Sequence, residues 1–177
     1  LFRFQLRFTG APGYSTTRMT WIKPNFLWMM YRSSWGRSKN QERVLGVWLK
    51  KDAFLNLLRH SVHTSSSAAE DDWSSTSTTL DPLPGWKGRV RLQWDPDHGP
   101  NGEPVGRRAI QIGIKNVPWW HTGECFEKII DVTPLMIEQR VHVPSSIPQL
   151  YTPQERIFVI PDKAIAKHVK TETTQSH

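Results

Sequence analysis

Apolar and polar positions alternate from the first residues, with Phe2, Phe4, Leu6 and Phe8 set against Arg3, Gln5 and Arg7. A period of two marks a half-buried strand. The stretch GAPGYSTT that follows is a turn-rich loop. The period then changes. Pro24 is tolerated in the first turn of a helix, and PNFLWMMYRSSW places Phe26, Met29, Met30 and Ser33 on one helical face, widened by Leu27 and Tyr31. A helix apolar around most of its circumference is expected to run through the core, and Gly36 is expected to end it. ERVLGVWLK reads as a mostly buried strand. KDAFLNLLRHSV reads as a short amphipathic helix turning Ala53, Phe54, Leu57 and Leu58 inward.

Between about residues 63 and 81 the chain is mostly Ser, Thr, Ala and Asp. That composition offers too little apolar surface to offset the entropy of ordering. The stretch is read as a flexible insertion within one domain, because neither side alone has enough strands and helices to fold. GRVRLQWDP and RRAIQIGIK alternate again, joined by DHGPNGEPVG as a long hairpin. Val90, Leu92 and Trp94 with Ile110, Ile112 and Ile114 form its apolar face. Arg89, Arg91, Gln93, Arg107, Gln111 and Lys115 form the other. A helix from about Pro134 to Arg140, capped by Thr133, and a last strand, RIFVIP, complete the inventory. The expectation is one α+β domain over residues 1–168, a mixed or antiparallel sheet on a few short helices, with a polar, frayed tail at 169–177.

Composition narrows the picture. At 177 residues the chain can bury one core, and most of its 9 tryptophans are expected there. It begins at Leu1, so the first strand of the natural domain is expected to be missing. A single cysteine, Cys125, excludes an internal disulfide framework and suits a reducing, intracellular compartment, cytoplasmic or nuclear. There is no secretory pattern, and no apolar run approaches the roughly 18 residues of a membrane span. Residues 1–59 carry 11 lysines and arginines against 2 acidic residues, the remainder 12 against 14. A strongly basic front part implies an anionic partner.

Three stretches, RMTWIKPNFLWMMYRSSWG with NQERVL, VRLQWDPDH with RRAIQIG, and DVTPLM, resemble in order a family of uncharacterised domains, DUF4291. The resemblance covers about Arg18 to Ala166. It implies a domain without implying an activity or a cofactor, which stays unknown. It also implies an additional N-terminal strand segment with a tyrosine-containing motif, which residues 1–17 lack, and a shorter, less polar insertion. A helicase motor is excluded, since there is no GxxxxGK[ST] loop and the chain is too short for two motor lobes.

Candidate chemistry clusters around the first helix. Lys23 precedes its N-terminus, where free N–H groups favour anions. Arg18 and Thr20 lie just before, Trp21 can wall a pocket, and Arg32 stands one turn beyond Trp28, within stacking reach. Gln41 and Glu42 enter the next strand. Glu42 is either a general base or an ion-pair partner of Arg18 or Arg32. Asp95, directly before Pro96, is either a turn residue or an acid/base group. Asp95, Asp97, His98 and Glu103 are metal-ligand types, but their spacing does not fit a calcium loop, and no metal site is expected. Cys125 and His121, four residues apart, are a weak nucleophile pair. No GxSxG, HExxH or CxxC occurs.

Arg91, Gln93, Arg108 and Gln111 extend the basic surface along the hairpin, where cations can follow a phosphate backbone. That face lacks aromatics for stacking. The expectation is a phosphate-bearing ligand, nucleotide or nucleic acid, held by Arg18, Thr20, Trp21, Lys23, Arg32, Gln41, Arg91, Gln93, Arg108 and Gln111. One alternative is a small transferase-like enzyme acting on a nucleotide or RNA ends, with Glu42 or Asp95 doing the proton or charge work. The other is a structural or interaction domain whose tryptophans are all core.

Overall fold

The computed structural model describes residues 7–63 and 88–170. The elements are β1 (Thr20–Ile22), α1 (Phe26–Ser33), β2 (Leu45–Leu49), α2 (Lys51–Arg59), β3 (Ser61–His63), β4 (Arg89–His98), β5 (Pro104–Lys115), α3 (Pro118–Thr122), β6 (Phe126–Asp131), α4 (Thr133–Gln139) and α5 (Lys163–His168). One sheet has the order β1-β5-β4-β3, and β2 and β6 pair as a second sheet. The fold is α+β. Every pairing is antiparallel except β3 with β4, which is parallel.

The alternation read in the hairpin sets its register. Val90 pairs with Ile114, Leu92 with Ile112 and Trp94 with Ile110, so both apolar sets share one face. α2 covers that face with Leu57 and Leu58, and Trp120 of α3 and Ile165 of α5 complete the cluster. Burying an aliphatic side chain of this kind contributes about 1.5–3 kcal/mol. A smaller cluster of Met30, Trp35, Val44 and Met136 ties α1 to α4.

The opposite face of the hairpin is not the open basic surface expected. Arg91 is 2% exposed. Its partner across the ladder is Gly113, which in turn pairs with Trp21. A Cβ on Gly113 would stand 2.6 Å from Met19 Sδ and 3.0 Å from the Trp21 ring. Met19 and Trp21 therefore cover the polar face at Gly113, and Lys23, paired with Asp95 on that face, sets its ammonium over Trp28 of α1. Alternation shows that two faces differ, not what lies over either.

Other boundaries moved for identifiable reasons. α1 starts at Phe26, two residues after Pro24, and ends at Ser33, before Gly36. Ser34, Trp35 and Gly36 all have positive φ, so three successive left-handed residues turn the chain. β2 is half exposed, with Leu45 and Trp48 open to solvent while Val47 and Leu49 pack against the core. α4 starts at Thr133, whose hydroxyl accepts the Val44 N–H instead of capping the helix. The expected flexible insertion, about residues 63–81, lies outside the described residues apart from His63, which belongs to β3. The expected first strand lies mostly outside them too. Phe8, which is described, packs against Tyr14, Trp120 and Phe126.

RIFVIP has no regular secondary structure and pairs with no strand among the described residues. Phe158 packs on Phe54 with ring centroids 5.3 Å apart, and Ile160 packs on the core, while Ile157 and Val159 are 92% and 78% exposed. The alternation is real, but no strand among the described residues lies beside it. The chain then forms α5, which the sequence reading did not anticipate. Asp162 caps it, accepting the Ala164 and Ile165 N–H groups at 2.8 and 3.1 Å. No helix among the described residues is long and apolar enough to cross a membrane.

Candidate ligand groove

Two acid–base contacts, each with one buried partner, organise the polar side of the hairpin. Lys23 leaves the end of β1 and is 1% exposed, with Nζ 2.9 Å from Asp95 Oδ2 and 3.3 Å above the Trp28 ring. Burial pulls its pKa down and Asp95 pulls it back up. Beside it the β4–β5 register shifts between Pro96 and Asp97, a bulge that re-aims the next side chain. Asp97 is wholly buried. It accepts Arg107 Nε at 2.6 Å, Asn25 Nδ2 at 3.2 Å and the His98 N–H at 2.9 Å.

Arg107 stands at the rim, its side chain 65% exposed, with Nη2 3.5 Å from Glu155 Oε2. The hydrogen bond Arg107 donates to Asp97, and then the charge of Asp97, raise the guanidinium pKa further, so the cation is permanent. Glu155 also accepts the Phe26 N–H at 2.8 Å and Asn25 Nδ2 at 3.4 Å. The first turn of α1 thus already faces an anion supplied by the chain itself.

Between α1 and the hairpin runs an open groove of about 440 Å³, lined by Leu27, His98, Gly99, Val105, Gly106 and Arg107. Tyr31, one turn after Leu27, is 48% exposed. Its ring stacks on His98 with centroids 3.7 Å apart and planes 9° apart. The aromatic reaches over Gly102, where a Cβ would meet Tyr31 Cδ2 at 3.1 Å. His98 Nδ1 is buried and has no hydrogen-bond partner among the described residues.

The residues expected to form one site lie in separate sets of contacts. Lys23 and Asp95 pair inside the roofed polar layer, where Gln111 also donates to Gln93. Arg91 is buried in that layer, Trp21 helps roof it, and Arg108 donates to the Trp94 carbonyl. Arg32 does not stack on Trp28, because Lys23 occupies that ring; it donates to Gln41 at 3.2 Å beyond the other end of α1. Glu42 there accepts the Asn40 N–H at 2.9 Å. Arg18 is exposed, its N–H on Ser15 Oγ, and Thr20 Oγ1 meets the Tyr14 hydroxyl, which also meets His121 Nδ1.

Cys125 is buried, and burial pushes its thiol pKa up to about 12, the opposite of an activated nucleophile. The reading from sequence missed Asn25 and Glu155 entirely, and it placed Tyr31 in the core, Asp97 and His98 in a solvated turn, and Arg107 on a bare sheet face. Glu155 bonds a residue 129 positions away, and no local pattern announces such a contact.

No curated protein and no solved structure matches the chain. A family model described as "Domain of unknown function (DUF4291)" matches residues 4–158. That span is most of the 177-residue chain and takes in β1 through the Glu155 segment, and the chain belongs to this family.

Proposed function

We propose that the domain binds a phosphate-bearing ligand, a nucleotide or a nucleic-acid strand, in the groove between α1 and the β4–β5 hairpin. The observation that carries this reading is the placement along one groove of an exposed guanidinium, Arg107, and of His98, on which the half-exposed Tyr31 ring stacks. A base can stack on the aromatic platform, which contributes about 1–3 kcal/mol per base. The guanidinium fork suits phosphate oxygens. A volume of about 440 Å³ lies within the usual range for small-molecule sites, about 300–1,000 Å³. The basic balance of residues 1–59 favours the approach of an anion. The transferase-like alternative relies on Glu42 and Asp95, whose carboxylates accept the Asn40 N–H and the Lys23 ammonium. Binding without chemistry is the simpler reading.

The test is thermal melting with ATP and with a short oligouridine RNA. A ligand at a hundred times its dissociation constant stabilises by about 2.7 kcal/mol, a clear shift. Tyr31→Ala leaves the free protein's melting temperature nearly unchanged and weakens binding by about tenfold. Absence of any shift with either ligand would sink the proposal.

A further inference from the structure

We propose that Glu155 is a tethered anion that competes with the ligand's phosphate for Arg107, so that the chain regulates its own groove. This inference rests on the groove reading above. Glu155 is carried by the segment after the 3-10 turn Ile147–Gln149. Residues 151–160 have no regular secondary structure. The segment is tied down at its ends: the Tyr151 N–H donates to Gln139 Oε1 at 2.7 Å, and Phe158 packs on Phe54. Between these anchors stands Glu155, its side chain 35% exposed.

The two acids hold Arg107 unequally. Asp97 takes Nε at 2.6 Å and is wholly buried, so it fixes the guanidinium plane. Glu155 reaches Nη2 at 3.5 Å, longer than the usual 2.7–2.9 Å of a charge-assisted bond (roughly). The Nη side is the half of the fork that a phosphate would engage. An arriving phosphate must therefore displace a carboxylate held loosely there, or accept its repulsion. The other Glu155 contacts, to the Phe26 N–H and Asn25 Nδ2, keep the carboxylate in place when the groove is empty. The competition weakens charged ligands and leaves uncharged ones alone.

Glu155→Gln tests this, because the amide oxygen still accepts the Phe26 N–H while the charge is gone. Calorimetric titration of the wild-type and variant chains with ATP and with adenosine reads the effect. The expected result is ATP affinity raised about tenfold in the variant, with adenosine affinity unchanged. Binding of ATP by Glu155→Gln alone, with none by the wild type, supports the inference in its strongest form. If ATP affinity is equal in both proteins, yet falls in Tyr31→Ala, the tethered anion is overturned and the groove reading stands. Weaker ATP binding by Glu155→Gln also overturns it, since Glu155 would then be helping to hold the ligand. If neither protein binds either compound, both readings fall together. A melting temperature for Glu155→Gln within a few degrees of wild type separates these outcomes from misfolding.

Discussion

Lys23 shows what one buried charge does here. Its ammonium has exchanged water for one carboxylate oxygen and one indole face. Breaking a buried ion pair by removing one partner typically costs 3–5 kcal/mol (roughly), because the other charge is stranded. Asp95 is 30% exposed, and water takes over part of its solvation. Lys23→Ala should therefore lower unfolding stability by about 2 kcal/mol in urea, and adding Asp95→Ala should recover part of that loss. A single-variant loss below about 0.5 kcal/mol would show the contact to be idle. The variant is a poor test of ligand binding, since its main effect is on the fold. Sequence reasoning named both residues, one as a phosphate contact and one as an acid. It could not pair them, because the contact crosses 72 positions and exists only through the β1-β5-β4 order.

At the scale of an element, α1 was legible in kind and illegible at its ends. Eight residues with apolar positions on most sides made a helix, and Met30 is indeed wholly buried. Yet Tyr31 is half exposed and stacks on His98 of the groove lining, and the N-terminus is capped from a distant segment by Glu155. The C-terminal end depends on Gly36, with φ of 71°. A Cβ there would overlap the Met136 side chain, which is fully buried and can yield only by disturbing the smaller core. Gly36→Ala should cost about 1–2 kcal/mol, the left-handed backbone and the crowding both contributing. Urea denaturation checks this, and a variant as stable as wild type would show that Met136 repacks freely.

For the whole molecule, the hairpin was readable because its two strands are neighbours in sequence and share one loop. The pairings of β1 with β5 and of β2 with β6 were not, since they join distant segments whose patterns do not name their partners. Histidines give the assembled molecule a pH dependence. Burial lowers the pKa of His60, His63 and His121 below the ordinary 6.5. The folded chain then binds fewer protons than the unfolded chain, so this stability is fully present above about pH 6.5. It is lost as pH falls through the lowered folded values. Melting temperature should decline from pH 7 to pH 5, and His63→Gln should flatten the decline. A melting temperature that holds level across that range would refute the assignment. The parallel pairing of β3 with β4 has a different consequence, for how the gene can change. His63 lies beside Leu92 and Ser61 beside Val90, so the chain must travel back along the strand before β4 can begin. A parallel return needs a connection of about a dozen residues or more. A deletion between His63 and Arg89 that left only a hairpin-sized link would therefore break the sheet.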